Sequence, residues 1–138
     1  MNATKNKYFS KDFFVYEQDF LLLIAGGTAT GNITIQADSD FRLEKTVYFA
    51  DIAAAGQTFA SQVVPLVTVL ITDAGSGRQL SNSPLAIPNL FGVARDPFIW
   101  ETPHVFAARS TITIAVANFD AANTYNLRLS FMGTKLYY

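Results

Sequence analysis

STITIAVANFDAANTYNLRLSFM, residues 110–132, decides the fold class of this chain. On either side of a polar centre, every second residue is a large apolar one. Successive side chains of a β-strand point to opposite faces, so each half predicts a strand with one apolar face. Residues 120–123 predict a turn, and the two halves together predict an antiparallel hairpin at the C-terminal end of an all-β domain. The alternating apolar residues are Ile112, Ile114 and Val116, then Tyr125, Leu127, Leu129 and Phe131.

The remainder of the chain repeats this pattern. Alternation over residues 30–37 and 41–50 predicts two further strands, although Lys45 breaks the second pattern. Residues 12–25 predict a strand with a break near its middle. Residues 63–72 are apolar at both odd- and even-numbered positions, so a strand there would have two apolar faces. This pattern suits a central strand that is covered on both faces.

Seven to nine short strands separated by turns predict an antiparallel β-sandwich with jelly-roll or Greek-key wiring. A closed barrel is the competing architecture, because the number of strands does not distinguish the two. Residues 1–11 contain three lysines and no acidic residue, so we expect a basic N-terminal arm there. The predicted organisation is this arm, 1–11, followed by a single β-sandwich domain, 12–138.

Residues 78–108 are the least regular part of the sequence. Four prolines occur in this segment, and each lacks the backbone donor that a central strand needs. Short edge strands are predicted near residues 79–80 and 98–100. Loops of this length in compact domains are usually functional or held in place by a partner.

The composition indicates more apolar material than a small core requires. Half of the 138 residues are hydrophobic, whereas only 15% are charged. An aromatic-rich core and an apolar surface that binds another protein both explain this excess. The net charge of −1 argues against a protein that coats nucleic acid.

Several kinds of site are excluded by the residue inventory. The chain contains no cysteine and a single histidine, so neither a disulfide framework nor a zinc site of the usual ligand set is expected. We predict no cofactor and no metal. The N-terminal sequence lacks a signal peptide, and the strongest apolar run, residues 20–25, is too short to span a membrane as a helix.

Candidate catalytic groups are few, and the sequence predicts a protein that is not an enzyme. His104 is the only candidate base, but no Gly-x-Ser-x-Gly motif accompanies it, so a loop or edge-strand position is the better interpretation. Asp38 and Asp40 could contribute to a calcium site, yet they lack EF-hand spacing and are interpreted as turn formers.

Trp100 and the tyrosines admit two interpretations. Their rings could stack on a sugar, as in β-sandwich lectins, or they could fill the core and protein interfaces. We favour the interface interpretation and keep a carbohydrate-binding module as an alternative.

Five segments resemble a known group of proteins when their order and spacing are taken together. They are GNITIQADSDF at 31–41, VLITDAGSGRQL at 69–80, PNLFG at 88–92, PFIWETP at 97–103 and LRLSFMGTK at 127–135. The set resembles small β-sandwich structural proteins of tailed bacteriophage virions. The resemblance covers roughly residues 28–136.

This resemblance implies a virion component, either a capsid decoration or cement protein or a head–tail or tail accessory protein. Such a protein works by binding, and the resemblance supplies no catalytic residue. The implied partners are the major capsid protein or other virion proteins. A homo-oligomer of the chain is also expected, whereas binding to nucleic acid or to a membrane is not. The implied location is the virion, after synthesis in the host cytoplasm.

The segments outside the regular strands are the predicted contact sites. Deletion of residues 1–11 is expected to weaken incorporation into particles without unfolding the domain. A hydrolase dependent on His104 is the least favoured alternative. The predicted interface residues are Lys5, Lys7, Tyr8 and Phe9 in the arm, and Phe91, Arg95, Phe98 and Trp100 in the proline-spaced loop.

Overall fold

Nine β-strands follow one another along the residues that the computed structural model describes, which are 10–53 and 62–137. The all-β fold class is confirmed, and the same residues contain no α-helix. One short 3-10 helix, Ile87–Asn89, precedes the seventh strand. The strands are β1 Ser10–Leu23, β2 Thr28–Thr34, β3 Asp40–Ile52, β4 Val67–Asp73, β5 Arg78–Gln79, β6 Leu85–Ala86, β7 Phe98–Phe106, β8 Thr111–Asn118 and β9 Tyr125–Tyr137.

The strands form two antiparallel sheets that pack face to face. The first sheet has the order β1-β9-β3-β7, and the second has the order β2-β8-β4-β5, with β6 also paired to β4. The chain changes sheet after each of the first three strands and again after β6, β7 and β8. This order is that of a jelly roll, in which two interleaved Greek keys form a sandwich. The chain is therefore an open sandwich rather than a closed barrel.

The predicted C-terminal hairpin is wrong in its pairing. β8 pairs with β2 and β4, whereas β9 pairs with β1 and β3, so the two strands lie in opposite sheets. Both strands do bury one face, as the alternation predicted. Alternation shows which face of a strand is buried, but it carries no information about the neighbouring strand. Residues 119–124 form a crossing between the sheets.

Two irregularities change the expected faces of the long strands. β1 continues through its middle without a break and is irregular instead between Phe20 and Leu23. β3 has a register shift between Leu43 and Lys45, which explains why Lys45 broke the alternation. After a bulge of this kind, the side chains that follow exchange faces.

The proline-containing segment is more regular than its sequence suggested. It contains β5, β6, the 3-10 helix and the nine-residue β7, which pairs with β3 at the edge of the first sheet. Pro103 coincides with the register shift between β7 and β3, a position that tolerates a missing backbone donor. Gly92 forms a further bridge to Val47, so residues near it extend this edge.

The core lies between the inner faces of the two sheets and is rich in aromatic rings. Tyr16 packs edge-on against Phe41 with ring centroids 4.8 Å apart, and Phe91 packs similarly against Phe131 at 5.6 Å. Burial of each such ring stabilises the fold by about 1.5–3 kcal/mol relative to an exposed ring. The largest fully buried side chains are Phe41, Phe91, Phe106, Phe131, Ile35, Leu43, Ile71, Ile87, Ile112, Ile114, Leu127 and Leu129.

Candidate protein-binding surface

One end of the sandwich carries a group of exposed, large apolar side chains. Three chain segments meet there: the exit of β1 with the following turn, the approach to β4, and the crossing from β8 to β9. Between 45% and 66% of each side chain in the group is exposed. We call this group the apolar end, and it consists of Leu21, Leu22, Ile24, Val64, Leu66 and Phe119.

The β1 segment of the apolar end has a strained backbone. Leu22 has a φ of 58°, in the left-handed region that a bulky side chain rarely adopts. It lies in the irregular part of β1 between Phe20 and Leu23, both of which are buried. An extra residue at this position places both Leu21 and Leu22 outside the core.

A buried amide and carboxylate hold this bulge in place. The Leu22 backbone N–H donates to Asn126 Oδ1 at 3.0 Å. The Nδ2 of Asn126 in turn donates to Asp51 Oδ1, also at 3.0 Å. Asp51 and Asn126 are both buried, so the strained turn is tied to the interior of the first sheet.

Asn118 joins the turn after β1 to the crossing between the sheets. Its Nδ2 lies 3.0 Å from the carbonyl oxygen of Leu23, 3.1 Å from that of Ile24 and 2.9 Å from that of Asn123. In addition, the backbone N–H of Phe119 donates to the carbonyl of Leu66 at 2.9 Å. The three segments of the apolar end are therefore connected by hydrogen bonds.

Asp120 shapes the crossing between the sheets. Its carboxylate accepts hydrogen bonds from the Tyr125 hydroxyl at 2.6 Å, from Asn123 Nδ2 at 2.9 Å and from the Ala122 N–H at 2.8 Å. The Tyr125 hydroxyl and these other donors lower the pKa of Asp120 to about 2. The Asp120 side chain is therefore an ionised carboxylate whose hydrogen bonds stabilise the turn.

The chemistry that this surface offers is hydrophobic association. Large exposed apolar groups that cluster on loops mark interaction sites more often than chance exposure does. A groove of about 420 Å³ lies beside the bulge and is lined by residues 18–24 and 28–30. The apolar end and this groove together form a surface suited to contact with another protein.

The predicted interface residues are dispersed or lie outside the described residues. Phe91 is 1% exposed and belongs to the core, so its prediction as an interface residue is wrong. Phe98 and Trp100 are half-buried against the core, and Trp100 Nε1 donates to Thr46 Oγ1 at 3.2 Å. Arg95 is exposed on the loop before β7. Lys5, Lys7, Tyr8 and Phe9 lie outside the described residues.

His104 lies on the edge strand β7. Its Nε2 lies 2.8 Å from Asp73 Oδ2, and this pair links the first sheet to the end of β4 in the second. Burial opposes ionisation of Asp73, but hydrogen bonds from His104, Ser76 and Gly75 lower its pKa overall. This geometry describes a structural bridge between the sheets.

The acidic residues considered for calcium are used within the fold. Asp38 forms an ion pair with Lys135 at 3.0 Å, and Asp40 accepts from the Ala108 N–H at 2.9 Å. Within residues 10–53 and 62–137, no three carboxylate or histidine side chains are grouped as metal ligands.

Comparison with known proteins gives no match, so this chain is classified by its fold. No protein-family model matches the chain, and no curated protein matches it. In the part of the chain that the structure describes, no helix has the length and apolar character needed to cross a membrane. The class that the structure defines is a jelly-roll β-sandwich with an exposed apolar end.

The sequence contained a signal for the apolar end that alternation analysis passes over. Residues 20–24 read FLLLI, and a strand with one core-facing side does not need five apolar residues in succession. Phe119 similarly follows directly on a regular strand and stands before a turn-forming aspartate. Large apolar residues that break the strand pattern therefore indicated the position of the apolar end, whereas the prolines of residues 78–108 did not.

Proposed function

We propose that this chain is a non-enzymatic virion structural protein that decorates or cements a bacteriophage capsid through protein–protein contacts. The observation that carries the proposal is the apolar end, six large exposed side chains on three segments that hydrogen bonds join at one end of the sandwich. The resemblance to small virion β-sandwich proteins supplies the class of partner, which is the major capsid protein.

The arrangement of the apolar end favours binding to a preformed surface. Asn118 and Asn126 fix the turns that carry Ile24 and Leu22, so little backbone freedom is lost on association. Burial of each exposed leucine or isoleucine contributes up to about 1.5–3 kcal/mol to binding. Jelly-roll domains have many functions, so the proposal rests on this surface rather than on the fold.

A head–tail or tail accessory protein is the alternative that uses the same surface with another virion protein. A carbohydrate-binding module receives less support, because Trp100 packs on the core and its indole N–H is bonded to Thr46. That alternative required a ring with a free face and a polar edge available to a sugar.

The test is cosedimentation of the purified full chain with empty capsids assembled from the major capsid protein of the same genome. The wild-type chain is expected to pellet with the capsids. The double variant Ile24→Ser/Phe119→Ser is expected to bind at least about tenfold more weakly, because two apolar contacts are lost.

The matched control is Ile99→Ser, which removes an exposed apolar side chain from β7, away from the apolar end. Its binding should equal that of the wild type. Failure of the wild-type chain to bind capsids would reject the capsid role. Equal loss of binding in the double variant and in Ile99→Ser would reject the apolar end as the contact surface.

A further inference from the structure

The edge strand β1 is the longest strand edge that the fold leaves open. It spans 14 residues, and within the described residues it pairs only with β9. An open edge presents a row of backbone donors and acceptors that can pair with another strand. Such an edge is a site for interaction with a further chain.

Two of the other three edges of the sandwich are protected in recognisable ways. β7 contains Pro103 and a register shift, and β5 is only two residues long. β2, the remaining edge, has seven residues with Gly31 at its centre. By contrast, β1 has no proline, and its irregularity lies at its far end between Phe20 and Leu23. Proline, short length, bulges and charged side chains are common devices that prevent edge pairing. Residues 10–19 lack the first three and carry charged side chains of both signs.

The outward side chains of β1 have a self-complementary order. Phe13 is 72% exposed and Val15 is 36% exposed, and Lys11 and Glu17 flank them on the same face. Asp19, which follows, is already paired with Arg128 at 2.8 Å. Glu17 accepts from the Ser130 hydroxyl at 3.2 Å and has no cation at salt-bridge distance among the described residues.

We propose that two copies of this chain pair antiparallel through their β1 strands, about a two-fold axis at Phe14. In this register Phe13 lies opposite Val15 of the second copy, and Lys11 lies opposite Glu17 of the second copy. Each contact occurs twice, as in any isologous interface. The ladder covers residues 10–18 of both copies and joins the two first sheets into one sheet of eight strands.

The neighbouring registers lack this complementarity. Pairing must keep odd residues opposite odd ones, because opposed side chains share a face. A shift of the two-fold axis to Val15 places Phe13 opposite Glu17. A shift to Phe13 places Lys11 opposite Val15. The register centred on Phe14 gives every outward residue from Lys11 to Glu17 a complementary partner, with apolar residues opposite apolar ones and a cation opposite a carboxylate.

The electrostatic environment of Glu17 also favours Lys11 of the second copy as its partner. The hydrogen bond with the nearby Asp19 carboxyl and partial burial raise the pKa of Glu17 above its usual value, although the Ser130 hydroxyl and the charge of Arg128 act in the opposite direction. A further cation beside Glu17 would therefore stabilise its carboxylate. The inference goes beyond the proposed function, since it concerns contacts between copies of this chain. The paired residues, 10–18, do not include Leu21 and Leu22 of the apolar end.

Sedimentation velocity of the full chain tests the pairing by charge exchange. The wild-type chain is expected to sediment as a dimer. Lys11→Glu places like charges opposite each other and should raise the dimer dissociation constant by at least about tenfold. The double variant Lys11→Glu/Glu17→Lys restores the opposite charges and should return the constant to near the wild-type value. Arg78→Glu, on exposed β5, is the control with the same change of charge.

Cysteine cross-linking tests the register, because the chain contains no cysteine of its own. Single variants Phe13→Cys and Val15→Cys are purified separately and then mixed under oxidising conditions. The mixture should form a disulfide-linked dimer faster than either variant alone. Far-ultraviolet circular dichroism of each variant checks that the fold is retained.

A monomeric wild-type chain would overturn the pairing, as would equal effects of Lys11→Glu and Arg78→Glu. Failure of the double variant to restore the dimer, or fastest cross-linking within one variant, would overturn this register. A monomer that still binds capsids would reject the pairing alone. A dimer that does not bind capsids would reject the proposed function alone.

Discussion

The backbone N–H of Leu22 donates to the side chain of Asn126 at 3.0 Å, although 104 positions separate the two residues in the sequence. The bond joins a strained bulge in β1 to the second residue of strand β9. It keeps Leu22 in the left-handed region and its side chain in solvent. A single amide therefore organises part of the apolar end.

Asn126→Ala is expected to lower the free energy of unfolding by about 2–4 kcal/mol, because the partly buried Leu22 N–H and the buried Asp51 carboxylate both lose their partner. Loss of this bond should be especially costly at Asp51, since its Oδ2 is already buried without a hydrogen bond from any described residue. Urea denaturation followed by circular dichroism measures the effect. Asn89→Ala, at an exposed position, is the control, and an equal loss in both variants would contradict the prediction.

Leu22→Gly is expected to leave the free energy of unfolding unchanged or to raise it by up to about 1 kcal/mol, because glycine adopts a positive φ without strain. Leu21→Gly, at the adjacent position, should instead lower it by about 1 kcal/mol through greater freedom of the unfolded chain. Thermal unfolding of the two variants provides the comparison. A larger loss of stability in Leu22→Gly than in Leu21→Gly would show that the bulge is not strained.

Acid unfolding should reveal how much the ionised carboxylate of Asp120 contributes to stability. Its pKa falls from 3.8 in the unfolded chain to about 2 in the fold, so its contribution to stability is fully present above pH 3.8. That contribution is lost as the pH falls from 3.8 through about 2. The urea midpoint of the wild type should decline over this range, and Asp120→Asn should show a smaller decline. Asp96→Asn, on an exposed loop, controls for removal of a carboxylate, and equal slopes in all three proteins would contradict the assignment.

Gly133→Ala is expected to destabilise the chain by about 3 kcal/mol or more, because the added Cβ would overlap the carbonyl oxygen of Arg42 on β3. This crowding arises where β9 faces the bulge between Leu43 and Lys45. Chemical denaturation measures the loss. Gly75→Ala, in the exposed turn after β4, should cost less, since the nearest atom to its added Cβ belongs to the small side chain of Ser110. A smaller effect at Gly133 than at Gly75 would mean that the strands can separate at the bulge.

Most strands could be located from the sequence, but their partners could not, and neither could the faces of β3 beyond its bulge. The alternation at 41–50 grouped Val47 and Phe49 with Phe41, yet the bulge after Leu43 turns both side chains away from the core. Val47 is nonetheless buried, because the segment containing Gly92 pairs beside it. A contact from a loop more than forty residues away is not encoded in the local pattern.

The candidate surface was harder to predict than the fold. Phe91 was expected in a contact loop because prolines surround it, but the loop folds inward and the ring packs on Phe131. Leu22 and Phe119 lie at the same end of the sandwich because β1 and β8 both finish there. Neither position follows from neighbouring residues alone.

The sequence by itself determined that this chain is all-β, because apolar alternation with a period of two is a local property of each strand. The tertiary structure decided the jelly-roll order, the placement of β8 and β9 in opposite sheets, and the exposure of the apolar end. Those features depend on pairing and packing between residues far apart in the chain, such as Leu22 with Asn126. Local periodicity cannot encode them, since one alternating strand is compatible with several partners.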